Sequence, residues 1–254
     1  LEEYTKQHIP NSIFFDLDKN SKKDTKLPHM LVQEEDWNNI VSKMGINNTD
    51  KVVIYDNSDV ISSCRLWFNL IYFGHNAKLV HVLNGGFQKW LSENKRVTDQ
   101  VSDTDNSNYK SLEKKELVKD KIMIDKNLDV QDFKIIDARS KDRFHGKIPE
   151  PREGLRSGSI KNSFCIPFNT CLNEDRTFKK KSELEKIFKE CLKDLNEKNI
   201  VFSCGSGVTA CVLALAYSLI NDKYRPCIYD GSWAEYLSLI HISEPTRLGM
   251  ISYA

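Results

Sequence analysis

The sequence contains no stretch of about 18 consecutive apolar residues, so it predicts no membrane-spanning helix. Its seven cysteines form no C-x-x-C pair, which argues against a disulfide framework or a zinc site and fits a reducing compartment. Neither charge is in excess, because Lys and Arg number 37, Asp and Glu number 36, and the formal net charge is +1. Nucleic acid and anionic membranes are therefore not expected partners.

A degenerate internal repeat is present instead. Each copy has a short apolar strand, a helix and a second strand, at 51–56, 65–73 and 78–83 in the first half and at 200–204, 209–221 and 225–229 in the second. Short strands separated by helices favour parallel pairing with crossover helices on both faces of a sheet. We therefore predict an α/β protein with two domains, each a mainly parallel sheet flanked by helices.

The domain boundaries follow from composition. Residues 101–122 are rich in Asp, Ser, Asn and Lys with little apolar periodicity, so they are predicted to be a linker. The domains are then 1–100 and 123–236, and 254 residues at 40% hydrophobic content suffice for two cores. A ligand cleft is expected at the interface between them.

The two copies differ where chemistry is expected. The second copy has Cys204 directly after its strand, whereas the first copy has Asp56 there and no nucleophile. Ser58, Ser62 and Ser63 follow Asp56, but no base stands at a readable spacing, so they are predicted to be helix caps.

Cys204 begins the loop C-G-S-G-V-T-A between an apolar strand and an apolar helix. Glycines at 205 and 207 allow the backbone to curl around the sulfur, and the unpaired N–H groups at the start of the helix favour an anion. Cys204 is therefore predicted to be a reactive thiolate, with Thr209 capping the helix through its hydroxyl.

A second chemistry-bearing segment, 137–154, reads DARSKDRFHGKIPEPREG. Its prolines impose an extended path on which Arg143 and Arg152 are expected to point into one cleft. Arginine forks match a carboxylate bidentately, so these two residues are candidate anchors for an α-keto acid.

The Cys204 loop and the 137–154 run together resemble the 3-mercaptopyruvate sulfurtransferases, the two-domain branch of the rhodanese superfamily. The resemblance implies two tandem rhodanese-like domains, of which the first is catalytically inactive. It also implies a catalytic set of Cys204, Ser206, His29 and Asp18. Substrate binding is then assigned to Arg143 and Arg152 and to the loop residues Gly205, Gly207, Val208 and Thr209. His145 stands where the family often has another arginine.

The activity that the resemblance implies is transfer of sulfane sulfur from 3-mercaptopyruvate, through a Cys204 persulfide, to a thiol or cyanide. Thioredoxin or another small thiol is the implied acceptor, and no metal or organic cofactor is implied. Two alternatives stay open: a thiosulfate sulfurtransferase, which usually has a basic pair where this chain has Gly205 and Ser206, and a non-catalytic sulfur carrier. Phosphatase activity is disfavoured, because no arginine occurs between Cys204 and Arg225.

Both ends of the sequence need separate interpretation. The chain begins at Leu1 inside an expected helix, so we expect a first strand and any targeting peptide to precede it, and localisation is expected to be mitochondrial or cytoplasmic. Residues 237–254 resemble translated sequencing adapter, and we expect them to be a read-through artefact rather than a native tail.

Overall fold

The computed structural model describes residues 1–236. The expected adapter read-through at 237–254 lies outside the described residues. Among residues 1–236, no helix is both long enough and apolar enough to cross a membrane.

The first half contains a two-stranded parallel sheet with helices around it. Its elements are α1 (Glu2–Lys6), α2 (Glu34–Lys43), β1 (Val52–Ile54), α3 (Ser63–Tyr72), β2 (Val80–Val82) and α4 (Gly86–Ser92). Both strands are shorter than predicted. Residues Ala77–Leu79 form a 3-10 turn instead of extending β2, and the Asn76 side chain caps this turn by accepting from the Lys78 N–H at 3.0 Å.

The second half contains a five-stranded, wholly parallel sheet with strand order β3-β7-β6-β4-β5. Its strands are β3 (Val118–Lys119), β4 (Lys134–Asp137), β5 (Phe164–Cys165), β6 (Ile200–Ser203) and β7 (Ile228–Tyr229). Its helices are α5 (Lys121–Val130), α6 (Lys141–Phe144), α7 (Lys181–Lys189), α8 (Ala210–Ser218) and α9 (Ser232–Tyr236). The predicted parallel α/β architecture is confirmed, and the end of β6 presents Cys204 at the carboxyl edge of the sheet, where ligands bind in such folds.

Helix α8 joins the two halves through one hydrophobic core. Almost every residue of α8 is buried, because alanine, leucine, valine and cysteine side chains cover all of its faces. The core cluster continues from α8 to Phe68 in α3 and to Phe73 directly after it, and both rings are fully buried. The loop before α8 therefore starts a helix that is fixed on both sides.

The expected linker is more structured than its composition indicated. Tyr109 is buried and stacks on His75, with 5.8 Å between ring centroids. Val118–Lys119 pairs with β7, and α5 begins at Lys121, so the last residues of 101–122 belong to the second sheet and its first helix. A two-residue strand carries too little periodicity to be recognised from sequence.

Candidate active site

Cys204 lies at the carboxyl end of β6 and is only 2% exposed. Its N–H donates to the Ser232 hydroxyl at 3.2 Å, and its carbonyl accepts the Trp233 N–H at 3.0 Å. The start of α9 therefore fixes the backbone on both sides of the cysteine.

The backbone N–H groups of the loop after Cys204 are available to a ligand. Within residues 1–236, none of the N–H groups from Gly205 to Thr209 donates a hydrogen bond to a protein acceptor. Gly207 has φ +76°, a left-handed conformation that favours glycine. A short glycine loop with free N–H groups ahead of a helix is suited to hold an anion or a polarised sulfur.

The prediction that the Thr209 hydroxyl caps α8 is wrong. Thr209 is the residue before α8, but it already has right-handed helical angles and its side chain accepts no capping bond. The first helical N–H groups that such a cap would bind, those of Cys211 and Val212, instead donate to the carbonyls of Val208 and Thr209 at 3.1 Å each.

Three of the predicted site residues meet across the two halves. The Nδ1 atom of His29 lies 2.9 Å from the Ser206 hydroxyl, although the residues are 177 positions apart in the chain. The other ring nitrogen of His29 lies 3.0 Å from a carboxylate oxygen of Asp18. The Asp18 side chain is 84% exposed, whereas that of His29 is 19% exposed. This arrangement allows a proton to pass between Ser206 and His29 while Asp18 orients the ring.

The surroundings of His29 lower its pKa. Burial is the largest cause, since it disfavours the charged imidazolium, and the nearby cations Arg152 and Arg65 act in the same direction. Asp18 opposes them through its charge and its hydrogen bond. The net direction favours a neutral imidazole at pH 7, which is the form that can accept a proton.

Arg143 lies beside the Cys204 loop, but part of its fork is already occupied. Its Nε and one Nη atom bond to the two carboxylate oxygens of Glu150, whose side chain is only 1% exposed. A Cβ added at Gly205 would lie 3.2 Å from the same guanidinium, so a side chain at 205 would press on Arg143. Arg143 therefore approaches the loop with the Nη2 atom that Glu150 already binds, and this ion pair neutralises part of its charge. Among residues 1–236, its Nη1 group makes no hydrogen bond.

Arg152 is exposed, and its charge acts on His29. Arg143 thus lies beside Gly205 of the Cys204 loop, and Arg152 acts on His29, which meets Ser206 of the same loop. His145 is exposed and is not among the groups that affect His29.

The 137–154 segment is held by a buried ion cluster around Arg139. This guanidinium pairs with Asp137 at 2.8 Å and Glu150 at 2.7 Å, and it lies 4.3 Å from the centre of the Trp233 ring. Because Glu150 also binds Arg143, the cluster sets the position of that arginine. Sequence reasoning missed Glu150, although an acid between two prolines in a basic run was a usable signal.

Two further residues were missed, Arg65 and Asp230. Both are buried and paired, Nη2 to Oδ1, at 2.6 Å. Arg65 is the one charged residue in the apolar sequence of α3, and an unpaired buried charge is so costly that a nearby acid could have been expected.

A large cavity of the molecule is separate from the Cys204 site. A cavity of about 1290 Å³ lies within the first half, lined by core residues of β1 and α3 and by Asp56, and Cys204 does not line it. No group of three or more His, Cys, Asp or Glu able to hold a metal ion occurs among residues 1–236. The chemistry that the Cys204 site itself allows is nucleophilic attack by sulfur with proton transfer through Ser206 and His29.

Comparison with known proteins gives consistent matches. A model of the rhodanese-like domain matches residues 1–93 and 120–239. The chain is 37% identical to thiosulfate/3-mercaptopyruvate sulfurtransferase 1, mitochondrial, of Arabidopsis thaliana, over 93% of this chain and 67% of that protein. It is 36% identical to 3-mercaptopyruvate sulfurtransferase of Mus musculus, over 92% of this chain and 78% of that protein. The Escherichia coli protein SseA, described as a 3-mercaptopyruvate sulfotransferase, superposes with a TM-score of 0.80 at 29% identity, covering 91% and 85% of the two chains.

Proposed function

The chain belongs to the rhodanese family of sulfurtransferases, and from this premise we propose that it moves sulfane sulfur from 3-mercaptopyruvate through Cys204 to a thiol acceptor. The observation that carries the proposal is the contact of His29 with Ser206 at 2.9 Å, which brings a proton-handling pair to the cysteine loop. A carrier that only stores sulfur has no use for this pair, whereas an enzyme that splits a carbon–sulfur bond does.

In the first half-reaction, the Cys204 thiolate attacks the sulfur of 3-mercaptopyruvate. A sulfur–sulfur bond forms, the carbon–sulfur bond breaks, and its electron pair passes to the methylene carbon as the enolate of pyruvate. The thiol proton of the donor then moves to that carbon, which gives pyruvate and the Cys204 persulfide anion. Ser206 and His29 are the proposed carriers of the proton, and the free N–H groups of the loop stabilise the anionic sulfur.

Arg152 and the free Nη1 group of Arg143 are the proposed anchors for the donor carboxylate. Glu150 remains bound to the other edge of Arg143, so the anchor keeps its place without the substrate. The charges of Glu150 and Arg143 offset one another, and Gly205 and Ser206 add no cation. This balance favours a monocarboxylate over the dianion thiosulfate.

In the second half-reaction, an acceptor thiolate attacks the outer sulfur of the persulfide. The sulfur–sulfur bond to Cys204 breaks, the cysteine sulfur leaves with its electron pair, and the acceptor carries the sulfur away. Thioredoxin or another small thiol is the proposed physiological acceptor, and cyanide is an alternative that yields thiocyanate.

The deciding experiment compares both donors side by side. We expect a higher kcat/KM with 3-mercaptopyruvate than with thiosulfate; the reverse order would remove the substrate assignment and leave the fold intact. In parallel, the protein incubated with 3-mercaptopyruvate should gain the mass of one sulfur atom, and added thiol should remove it. Cys204→Ser should abolish this gain, whereas the matched variant Cys191→Ser, at a half-buried free cysteine elsewhere, should keep it. A gain that thiol cannot remove would point to the carrier instead.

A further inference from the structure

A buried ion pair crosses from one half of the molecule to the other. Arg65, in α3 of the first half, is 0% exposed, and Asp230, directly after β7 of the second half, is 5% exposed. Their side chains pair at 2.6 Å, Nη2 to Oδ1. Neither residue belongs to the proposed catalytic set, and burying two charges needs a reason beyond stability, since an apolar pair of similar volume is often at least as stable.

Three further hydrogen bonds join the pair to the backbone of the site. Arg65 donates to the carbonyl of His29 at 2.7 Å and to the carbonyl of Gly207 at 3.2 Å. The second carboxylate oxygen of Asp230 accepts the N–H of Leu31 at 3.0 Å. The pair therefore holds the chain at and just after His29, through the His29 carbonyl and the Leu31 N–H, and it holds the catalytic loop one residue after Ser206.

The backbone conformations at these contacts are unusual. His29 has φ +60°, a left-handed conformation that costs a non-glycine residue roughly 1 kcal/mol or more and persists only where the surroundings impose it. Gly207 is also left-handed, and a Cβ there would lie 2.8 Å from Nη1 of Arg65. The close approach of the guanidinium to the loop thus requires a glycine at 207.

We propose that Arg65 and Asp230 are positioning residues for sulfur transfer: they hold the His29 backbone against the Cys204 loop, so that Nδ1 meets the Ser206 hydroxyl. The proposal rests on the proposed function. It explains how the first half, which has no nucleophile, holds His29 at the Cys204 loop. Neither residue contacts the donor, whose anchors Arg143 and Arg152 lie on other segments. Loss of the pair should therefore lower kcat and leave KM almost unchanged.

The test uses Asp230→Asn, which preserves the shape of the side chain and one acceptor oxygen but removes the buried charge. We expect kcat with 3-mercaptopyruvate to fall about 10- to 100-fold, because small misplacements of catalytic groups have effects of this size. KM should change less than about threefold if the anchors are undisturbed. Arg65→Lys should retain more kcat than Arg65→Met, since it keeps the charge but not the fork.

Two controls separate positioning from general damage. Arg176→Ala removes another arginine that joins the halves, through contacts with the Ser58 carbonyl and Asp59 in the first-half loop, and should leave kcat unchanged. In a His29→Ala background, Asp230→Asn should cause no further loss of kcat, because the residue acts through the histidine. Thermal unfolding confirms that each variant measured is folded.

The outcomes are distinguishable. A wild-type rate for Asp230→Asn, or an equal loss of kcat with and without His29, overturns the positioning role while the sulfurtransferase assignment stands. A wild-type protein that takes sulfur from neither donor overturns the proposed function and this inference with it. A loss of kcat that disappears in the His29→Ala background supports both.

Discussion

The loops that follow β1 and β6 occupy matching positions in the two repeats, but the first carries a carboxylate where the second carries a cysteine. Both come after a parallel strand and lead into a helix, α3 or α8, within the core shared by the two halves. The first loop places the Asp56 carboxylate at the strand end, and that carboxylate accepts hydrogen bonds from Ser58, Ser62 and Ser63 and from two backbone N–H groups. The second loop has Cys204 at the strand end and leaves its N–H groups free.

The comparison shows how one unit can be structural in one copy and reactive in the other. In the first copy, the chain's own carboxylate takes up the donors of the loop, so no other anion is needed there. In the second copy, the donors are uncommitted and can stabilise a sulfur anion or a bound substrate. The copy without a nucleophile still contributes to the site, because it supplies His29 and Arg65 to the other loop.

The largest expected effect comes from moving the cysteine between the loops. In a Cys204→Ser background, Asp56→Cys should gain no sulfur from 3-mercaptopyruvate, because among residues 1–236 no histidine bonds to the serines of the first loop as His29 does to Ser206. Mass spectrometry after incubation with the donor measures the result. Sulfur uptake at position 56 would show that the strand–loop–helix unit alone makes a cysteine competent and would end the distinction between the loops.

The anchors should give the next largest effect. Arg152→Ala should lower kcat/KM for 3-mercaptopyruvate about 10- to 100-fold, since a charge-assisted pair with the carboxylate is lost. Arg156→Ala removes an exposed arginine four positions along the same segment and should change the kinetics little. If both variants lose activity equally, general electrostatic attraction rather than a carboxylate anchor explains the role of the segment.

Asp56 itself should affect stability more than chemistry. Asp56→Asn replaces one acceptor oxygen by a donor amide that faces serine hydroxyls and N–H groups, so the free energy of unfolding should fall by about 1–3 kcal/mol. Denaturant unfolding measures this loss, and the kcat of the folded variant should be retained. Asp59→Asn, an exposed carboxylate in the same loop, serves as the control. A loss of kcat at full stability would mean that the first loop takes part in catalysis.

The sequence predicted the parallel α/β architecture and the family because those depend on local patterns. The glycine turn after an apolar strand identified the Cys204 loop, and the arginine-rich segment with its prolines completed the match. Local patterns failed where tertiary contacts decide. Ser58, Ser62 and Ser63 were predicted to cap α3, yet Ser62, the residue before the helix, makes no side-chain cap, and all three hydroxyls bond to Asp56 instead.

The buried pairs explain what else the sequence could not reveal. Asp230 lies 165 positions from Arg65, and no spacing rule connects them, since they meet only after the two halves pack. Glu150 lies two residues before Arg152 in the sequence, but its bonds to Arg143 and Arg139 depend on the folded path of the segment. Partners of buried charges are thus set by topology, whereas the need for a partner is set by chemistry alone.

The smallest expected effect concerns the pKa of His29. Because His29 contacts Ser206 of the second loop, the chemistry of that loop should depend on pH. The pKa of His29 lies below its ordinary value of 6.5, so the neutral form that accepts a proton persists as pH falls through 6.5 and is lost only below the lowered pKa. We therefore expect the acid limb of kcat/KM to lie below pH 6.5. Asp18→Asn should shift this limb to still lower pH, because Asp18 stabilises the imidazolium, whereas Arg152→Gln should shift it upward, because Arg152 destabilises it.

NMR titration of the His29 ring in the two variants measures these shifts without relying on turnover. The groups that act on the ring are Asp18, Arg152 and Arg65, and only Arg65 is buried. The shift in Arg152→Gln should shrink as salt is added, since exposed charges are screened over about 10 Å at 0.1 M ionic strength, whereas the effect of the buried Arg65 should persist. If neither variant moved the pKa, burial alone would control the imidazole, and the two side chains would have no electrostatic part in the reaction.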